Sequence, residues 1–349
     1  NAAFSFGEPA TTIPGLLAGG VSMSAAGLDA RAISGKVQLL RGAGPKGLAA
    51  MAEAQARPGW RAVQLRPLLG VARARADAAG LDLVVVSFEP LPREYFGKQD
   101  PPARLILAGQ KFRQLRALGV DAVGLLRFNK TLAQTSAASF ISELLVKRLN
   151  ARQVLVGPDF FFGSSRQGDL AMLQSVGLMS GFSAEAVAAQ QHQAQRIASS
   201  LIRTYLQHGR LHEAAQKLGR PYSIEGKVVR GKQLGRTLGY PTANIRLQRK
   251  KPALMGIYAT WIHGVGQQPI AGVSSLGTRP TVNGREPLLE AHLFDFDDDL
   301  YRRRIRVEFV CKLRDEIKFD TLDALVMQMD QDAAQARAVL ALQPIGECA

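Results

Sequence analysis

Apolar runs bounded by Pro, Gly and short polar turns divide the chain into two regions of different rhythm. In the first the runs are nearly continuous: LDLVVVSFEP (81–90), VDAVGLLRF (120–128), ARQVLVGPDFFFG (151–163) and FSAEAVAA (182–189). A strand that is apolar at successive positions is covered on both faces, which is the habit of parallel sheets. Stretches of helical period lie between them. LLGVARARADAAGL, from 68, puts Arg73 and Asp77 four apart on one polar face, and SAASFISELLVKRLN opens on a Ser cap. PPARLILAGQKFRQLRALG and QGDLAMLQSVGLMSG complete the alternation. It predicts an α/β domain with a parallel sheet and helices on both faces. Ligands would then sit beyond the carboxyl ends of the strands, where SFEP and GPDFFFG fall.

After a largely helical stretch (196–222) ending at Gly219 and Pro221, the rhythm changes. YSIEGKVVRG, MGIYATWIHGV, PIAGVSSLGT, LLEAHLFDF and RRIRVEFVCKL are short strands separated by Gly, Asn and Asp turns. That pattern predicts a closed antiparallel β-barrel. A terminal amphipathic helix follows, with Leu322, Leu325, Met329 and Ala333 on the face toward the barrel. The expected organisation is therefore an unmatched segment at 1–67, lacking fixed structure in part, an α/β domain at 68–218, and the barrel with its helix at 219–343.

Residues 1–56 are rich in Ala and Gly and carry little periodicity, though 36–56 would fit a short strand, a turn and an Ala-rich helix. Gly42, Gly44 and Gly47 form a G-x-G-x-x-G there. A dinucleotide fingerprint wants an acidic residue about 20 positions on. After Glu53 the next acid is Asp77, and Pro45 interrupts the cluster, so a chance grouping of glycines is the better reading.

Composition changes this picture little. The two cysteines, Cys311 and Cys348, form neither a disulfide framework nor a metal-ligand spacing, which suits a reducing cytoplasm. No apolar run reaches the roughly 18 residues needed to span a membrane. The net charge of +15 could serve nucleic acid, or simply an enzyme that handles polyanions. The absence of a helix-turn-helix pattern, zinc-finger spacing or an RNA-stacking aromatic motif favours the second, with no nucleic-acid partner expected.

The most informative stretch is GKQLGRTLGYPTANI (231–245). Gly231, Gly235 and Gly239 alternate with the cations Lys232 and Arg236. Glycines let a backbone approach an anion and point N–H groups at it. Thr242 and Asn244, two apart in an extended segment, would point to one side, where both oxygens could reach one Mg²⁺. A Gly-rich hairpin with a cationic tip would account for the same residues.

The run PTAN after this loop, GTRPTV (277–282), EAHLFDFDDDLY (290–301) and RVEFVCKLRDEIKF (306–319) resemble the riboflavin kinase module of bacterial bifunctional riboflavin kinase/FMN adenylyltransferases. The likeness extends upstream through SFEPLPREYF, GPDFFFG and LGRPY, covering roughly 80–340. It implies a cytoplasmic enzyme that phosphorylates riboflavin to FMN with Mg²⁺ and ATP, and adenylylates FMN to FAD. It assigns Glu290 as the base on the ribityl hydroxyl, Thr242 and Asn244 to Mg²⁺ and phosphate, and Gly231 to Gly239 with Lys232, Gly235 and Arg236 to ATP. Arg314, Asp315 and Glu316 match the flavin-side segment, though a charged turn would read the same. Asp159 and Phe162 match the family's flavin contact in the other half. Arg302 stands where the family usually has Gly, and is expected to alter a turn without touching the chemistry.

The adenylyltransferase half has two phosphate motifs in such families. The I-S-S-T-x-I-R motif survives in worn form at 197–203, as Ser199, Ser200 and Arg203 before and within a helix. The early G-x-F-D-G-x-H-x-G-H turn is absent: no histidine precedes His192, and the positions due to hold it, about 56–65, read ARPGWRAVQL. Divergence with loss of activity and translation out of frame both account for this, and the lack of a starting Met suits the second. FAD synthesis is thus the doubtful half of the expectation. A kinase with an inactive first domain, a flavin-storage protein and a basic nucleic-acid-binding module are the rival readings.

Overall fold

The computed structural model describes residues 38–39, 66–97, 101–157, 159–187, 191–192, 195–196, 198–231, 234–247, 251–281 and 284–342. The glycine cluster at 42–47, the Ala-rich helix expected before 56 and the stretch 56–65 lie outside them. The chain divides into two units, each treated by itself. One holds Leu65–Pro101 and Lys111–Arg196, the other Pro102–Gln110 and Ile197–Ala349.

In the first unit the helix Arg66–Ala79 carries the expected Arg73–Asp77 pair at 2.7 Å. Asn129, Ser136 and Asp169 cap the starts of their helices by accepting the N–H three residues on. The helix opened by Ser136 changes register at once, running as a π-helix over Phe140–Arg148. The short strand β1 (Gln38–Leu39) pairs antiparallel with β3 (Ala122–Arg127), and β3 pairs parallel with β2 (Val84–Glu89). A second parallel pair joins β4 (Gln153–Val156) to β5 (Ser183–Ala186). The four expected strands all form, and their parallel pairing follows from the helical crossovers between them. They do not make one sheet: among the described residues no strand bridges β2 and β4. Two short segments, β6 (Gln191–His192) and β7 (Gln195–Arg196), close the unit as a small antiparallel pair.

In the second unit six strands close into a barrel: β8 (Ser223–Val229), β9 (Thr242–Ile245), β10 (Gly256–His263), β11 (Ile270–Thr281), β12 (Gly284–Leu293) and β13 (Arg304–Arg314), in the spatial order β10-β11-β12-β9-β8-β13. Closure removes every sheet edge. Alternation sorts the side chains: Leu289, Ala291 and Leu293 face the core with Ala243 and Ile245, while Glu290 and His292 face outward. The helices Ser199–Gln207 and Leu211–Leu218 send Ile202, Leu206, Leu211 and Ala214 into that same core. The division by packing therefore falls at 196/197, earlier than the change of sequence character at 218/219, because these helices are apolar on the face that meets the strands.

The terminal helix Leu322–Leu342 packs on the barrel with the face read from the sequence: Ala333 meets the barrel cluster, and Leu325 and Met329 are half-buried. Leu322, in the first turn, is exposed, and the buried positions are Asp332, Ala336 and Leu340. The buried charge is paired. Arg314, at the end of β13, donates from Nε and Nη2 to the Asp332 carboxylate at 2.8 and 2.6 Å, and Gln328 adds a third donor at 3.1 Å. This satisfied carboxylate lies on the same face as the Leu/Met stripe, at i+3 from Met329 and i+7 from Leu325. Asp332→Ala leaves the guanidinium without its partner. Because Arg314 keeps a fifth of its side chain in water, the expected loss is about 2–3 kcal/mol, below the full cost for a buried pair. Hydrogen exchange across β13 and the terminal helix measures it. Unchanged protection there would mean that the pair does not anchor the helix.

Candidate active site

The barrel's candidate site is assembled by strand register. Glu290 on β12 lies directly opposite Asn244 on β9 and, on its other side, opposite Ser275 on β11. Thr242 lies opposite His292, each two residues along from the first pair. Directly opposed residues share a face with Cβ atoms about 5 Å apart. Thr242, Asn244, Glu290, His292 and Ser275 thus form one polar patch on the barrel's outer face, on the reverse of a largely apolar one.

An outer face is ordinarily solvated, yet Asn244 is only 6% exposed. Gly231 covers it: a Cβ at Gly231 would stand 2.5–2.6 Å from the Asn244 amide. Only glycine permits that approach. The segment Leu234–Thr237 then makes a helical turn where the sequence suggested an open loop, and Gly239 (φ +81°) reverses the chain back toward Thr242. Tyr240 holds the return. Its hydroxyl donates to Asp330 of the terminal helix and its ring meets His292 edge-on at 5.0 Å. Burial and that hydrogen bond push the Tyr240 phenol up to about 12, so it stays a donor. His292 Nδ1 donates to the Pro241 carbonyl at 2.9 Å, fixing the strand–loop corner. Arg236 is exposed at the tip; Lys232 lies outside the described residues.

Next to Arg230, which precedes Gly231, a cavity of about 800 Å³ is lined by Lys227, Arg230, Arg246, Arg302 and Arg304, against the acids Glu225 and Asp299. Such an excess of cations concentrates a polyanion. Sequence reading missed this cavity because its cations come from three separate segments. It also set Arg302 aside from the chemistry, whereas the structure puts Arg302 on the cavity wall. Arg302 holds φ +68°, the left-handed region that favours Gly, with its N–H donated to the Val228 carbonyl at 3.1 Å.

Of the flavin-side residues, Arg314 is committed to Asp332, and Asp315 pairs with Lys312. Glu316 folds over Gly277, where its carboxylate fills the space that any side chain would need. These three mark the end of β13 and the loop beyond it.

In the first unit the aromatic rings gather where the strands end. Phe128, just after β3, meets Phe88, Tyr95 and Phe96 edge-on at 5.7, 5.3 and 5.7 Å, and Phe96 is 65% exposed. An exposed ring on a rigid aromatic base at the carboxyl edge of parallel strands is a platform for a flat ligand. Neither ring was singled out in the sequence; an aromatic directly after an apolar strand is the signal that could have found them. Asp159 is exposed on the loop after β4, as expected. Phe162 is not presented to a ligand. It is 7% exposed, stacked on Phe160 at 5.6 Å and packed on Gly168, and the exposed ring of that loop is Phe161. Burying the last ring of the three anchors the loop in the core.

Ser199 and Ser200 are exposed in the first turn of Ser199–Gln207, a helix with no side-chain cap. Arg203 donates Nε to the Ala103 carbonyl at 2.6 Å. Ser199, Ser200 and Arg203 fall in the second unit, whereas Asp159 and Phe162 fall in the first.

Family comparison accords with this division. The riboflavin kinase family model matches residues 218–340 and the FAD synthetase model matches 66–201. The bifunctional riboflavin kinase/FMN adenylyltransferase of Haemophilus influenzae is 42% identical over 266 residues, 76% of this chain and 86% of that protein. Its namesake in Escherichia coli K12 is 40% identical over 277 residues, 79% and 88% of the two chains. Among solved structures, one titled a macrolide-efflux protein from Streptococcus pneumoniae superposes with TM-score 0.65 at 29% identity, over 78% of this chain and 88% of that one. That title finds no echo among the described residues, where no helix is long and apolar enough to cross a membrane. With both regions matched in order and most of each relative covered, the chain belongs to the family of bifunctional riboflavin kinase/FMN adenylyltransferases.

Proposed function

We propose that the barrel transfers the γ-phosphoryl group of ATP to the terminal ribityl hydroxyl of riboflavin, giving FMN. The observation that carries this is the register Ser275–Glu290–Asn244, which sets a carboxylate beside the loop-covered amide. Phosphoryl transfer asks the protein mainly to position its reactants and to receive one proton. Glu290 orients the hydroxyl and accepts that proton. Asn244 and Thr242, oxygen donors on one face, fit a hard cation such as Mg²⁺ that arrives largely ligated by ATP. Among the described residues no cluster of three acidic, His or Cys side chains could hold the ion unaided, so a shared site of this kind is what the donor set suits. Bound there, the ion would neutralise phosphate charge. The Gly231–Gly239 backbone and the cationic cavity hold the triphosphate, and the Arg314–Glu316 loop borders the flavin. The substrates are small molecules, no nucleic acid is required, and the work belongs in the cytoplasm, where ATP is plentiful.

In the first unit we propose that Phe96 and Phe128, with Asp159, receive the flavin ring of FMN for adenylylation. Incubation with riboflavin and Mg-ATP, followed by chromatography of the flavins, tests the whole reading. Binding of riboflavin without consumption of ATP would instead mean storage, and steeply salt-dependent nucleic-acid affinity would mean a binding module.

Arg302 gives a further check. In the left-handed region a non-Gly residue costs about 1–2 kcal/mol, more than the roughly 0.5–1 kcal/mol of chain entropy that Gly would lose on folding. Arg302→Gly should therefore raise the melting temperature while weakening the nucleotide, with KM for ATP up about threefold to tenfold and kcat held. An unchanged KM would remove the cavity from ATP binding.

A further inference from the structure

The loop that covers Asn244 is held by the terminal helix as well as by its own strands. Gly231, Gly235 and Gly239 give this loop unusual freedom, and ordering so free a chain costs entropy. Contacts must therefore hold it in the one conformation that places Thr242 and buries Asn244. Some of them are local. The Gly235 carbonyl accepts the Tyr240 N–H at 2.7 Å and the Leu238 N–H at 3.1 Å. A Cβ at Gly235 would collide with the Tyr240 carbonyl oxygen and touch the Thr242 hydroxyl. Packed this closely, Gly235, Tyr240 and Thr242 move together, so whatever fixes Tyr240 also fixes Thr242.

The remaining hold comes from outside the loop. Asp330, 90 positions further along the chain, accepts the Tyr240 hydroxyl. A hydrogen bond to a carboxylate is roughly twice as strong as one between neutral groups. The helix that carries Asp330 is itself fixed. Two residues on, Asp332 is buried and clamped by Arg314 and Gln328, which stops the helix from rolling. With about 3.6 residues per turn, the two carboxylates leave the helix about 200° apart. One flank thus grips Arg314 and the other grips Tyr240, while Ala333, Ala336 and Leu340 pack between them on the barrel. An exposed side chain on a rigid, anchored helix is a fixed post for a glycine-rich loop.

We propose that Asp330 is a positioning residue for ATP, acting through the Tyr240 hydroxyl on the glycine loop and Thr242. The inference rests on the kinase reading of the barrel. Without the clasp the loop spends less time in its competent conformation. Apparent affinity for ATP falls by that fraction, while the chemical step is unchanged. Asp330→Ala in the full chain should raise KM for ATP about threefold to tenfold, the scale of one hydrogen bond. Both kcat and KM for riboflavin should stay within about twofold. Tyr240→Phe keeps the ring on His292 and should do the same. The double variant should be no worse than either, since both substitutions delete one interaction. Asp330→Asn retains an oxygen acceptor and should recover most of the affinity. Amide exchange at Leu238, Gly239 and Tyr240 should quicken in the Ala and Phe variants, a readout that needs no turnover. An unchanged KM for ATP, unchanged exchange, additive effects of the two substitutions, or a joint rise of both KM values would overturn the proposal. Failure of the unmodified chain to phosphorylate riboflavin would instead reject the kinase reading, and calorimetric titration of the same variants with Mg-ATP would then decide the clasp.

Discussion

Glu290→Gln should lower riboflavin phosphorylation by about 10²–10⁴-fold in kcat, the range for a lost general base, while ATP binding stays nearly intact. The substitution keeps the size of the side chain and its place opposite Asn244 and Ser275, so the barrel register and the covering loop are undisturbed. What it removes is the ability to take a proton. In the proposed arrangement the polyphosphate would be gripped by other groups, namely the glycine loop, Thr242, Asn244 and the cations of the cavity, and these are unchanged. Steady-state kinetics beside calorimetric titration of Mg-ATP separates the two effects. A variant with unaltered kcat would remove Glu290 from the mechanism, and one that lost ATP affinity in step with kcat would make it a nucleotide ligand instead.

The second large effect is expected in the unmodified protein. It should make FMN, but form FAD from FMN and ATP at least about a hundredfold more slowly than a relative with the histidine turn. Preorganised groups at a developing charge contribute about 10²–10³ in rate per donor, and no histidine precedes His192 in this chain. Flavin affinity should suffer less than rate, since the aromatic platform is built on β2, the end of β3 and the short helix Pro92–Phe96, away from residues 56–65 in sequence. Grafting the histidine turn into residues 56–65 should recover FAD synthesis if the rest of the domain is sound. FAD production already matching FMN production would show that another group carries the α-phosphate chemistry.

Much of the second unit is legible from local sequence. Strand alternation, turn glycines and the pair Thr242 and Asn244 each depend on residues within a few positions of one another, and backbone geometry alone fixes which side they take. In the same way VVVSFE, AVGLLR and QVLV declare buried strands by their apolar runs, and Ser136 and Asp169 declare helix starts. Glu290 is different: its strand and its outward face follow from LLEAHLF, but its position opposite Asn244 depends on a register between segments more than 40 residues apart. No local pattern encodes that register; the closure of six strands does. Tertiary structure likewise decided that Asn244 is buried, because a glycine backbone 13 positions earlier lies on it, and that Phe162 turns inward while Phe161 stays out. It also put a charge, Asp332, on the barrel face of the terminal helix, where Arg314 supplies the partner that a buried carboxylate needs. Above all, the apolar runs specify strands one at a time and cannot say whether a sheet is complete. That requires both edges of each strand in space, and among the described residues β2 and β4 are not bridged.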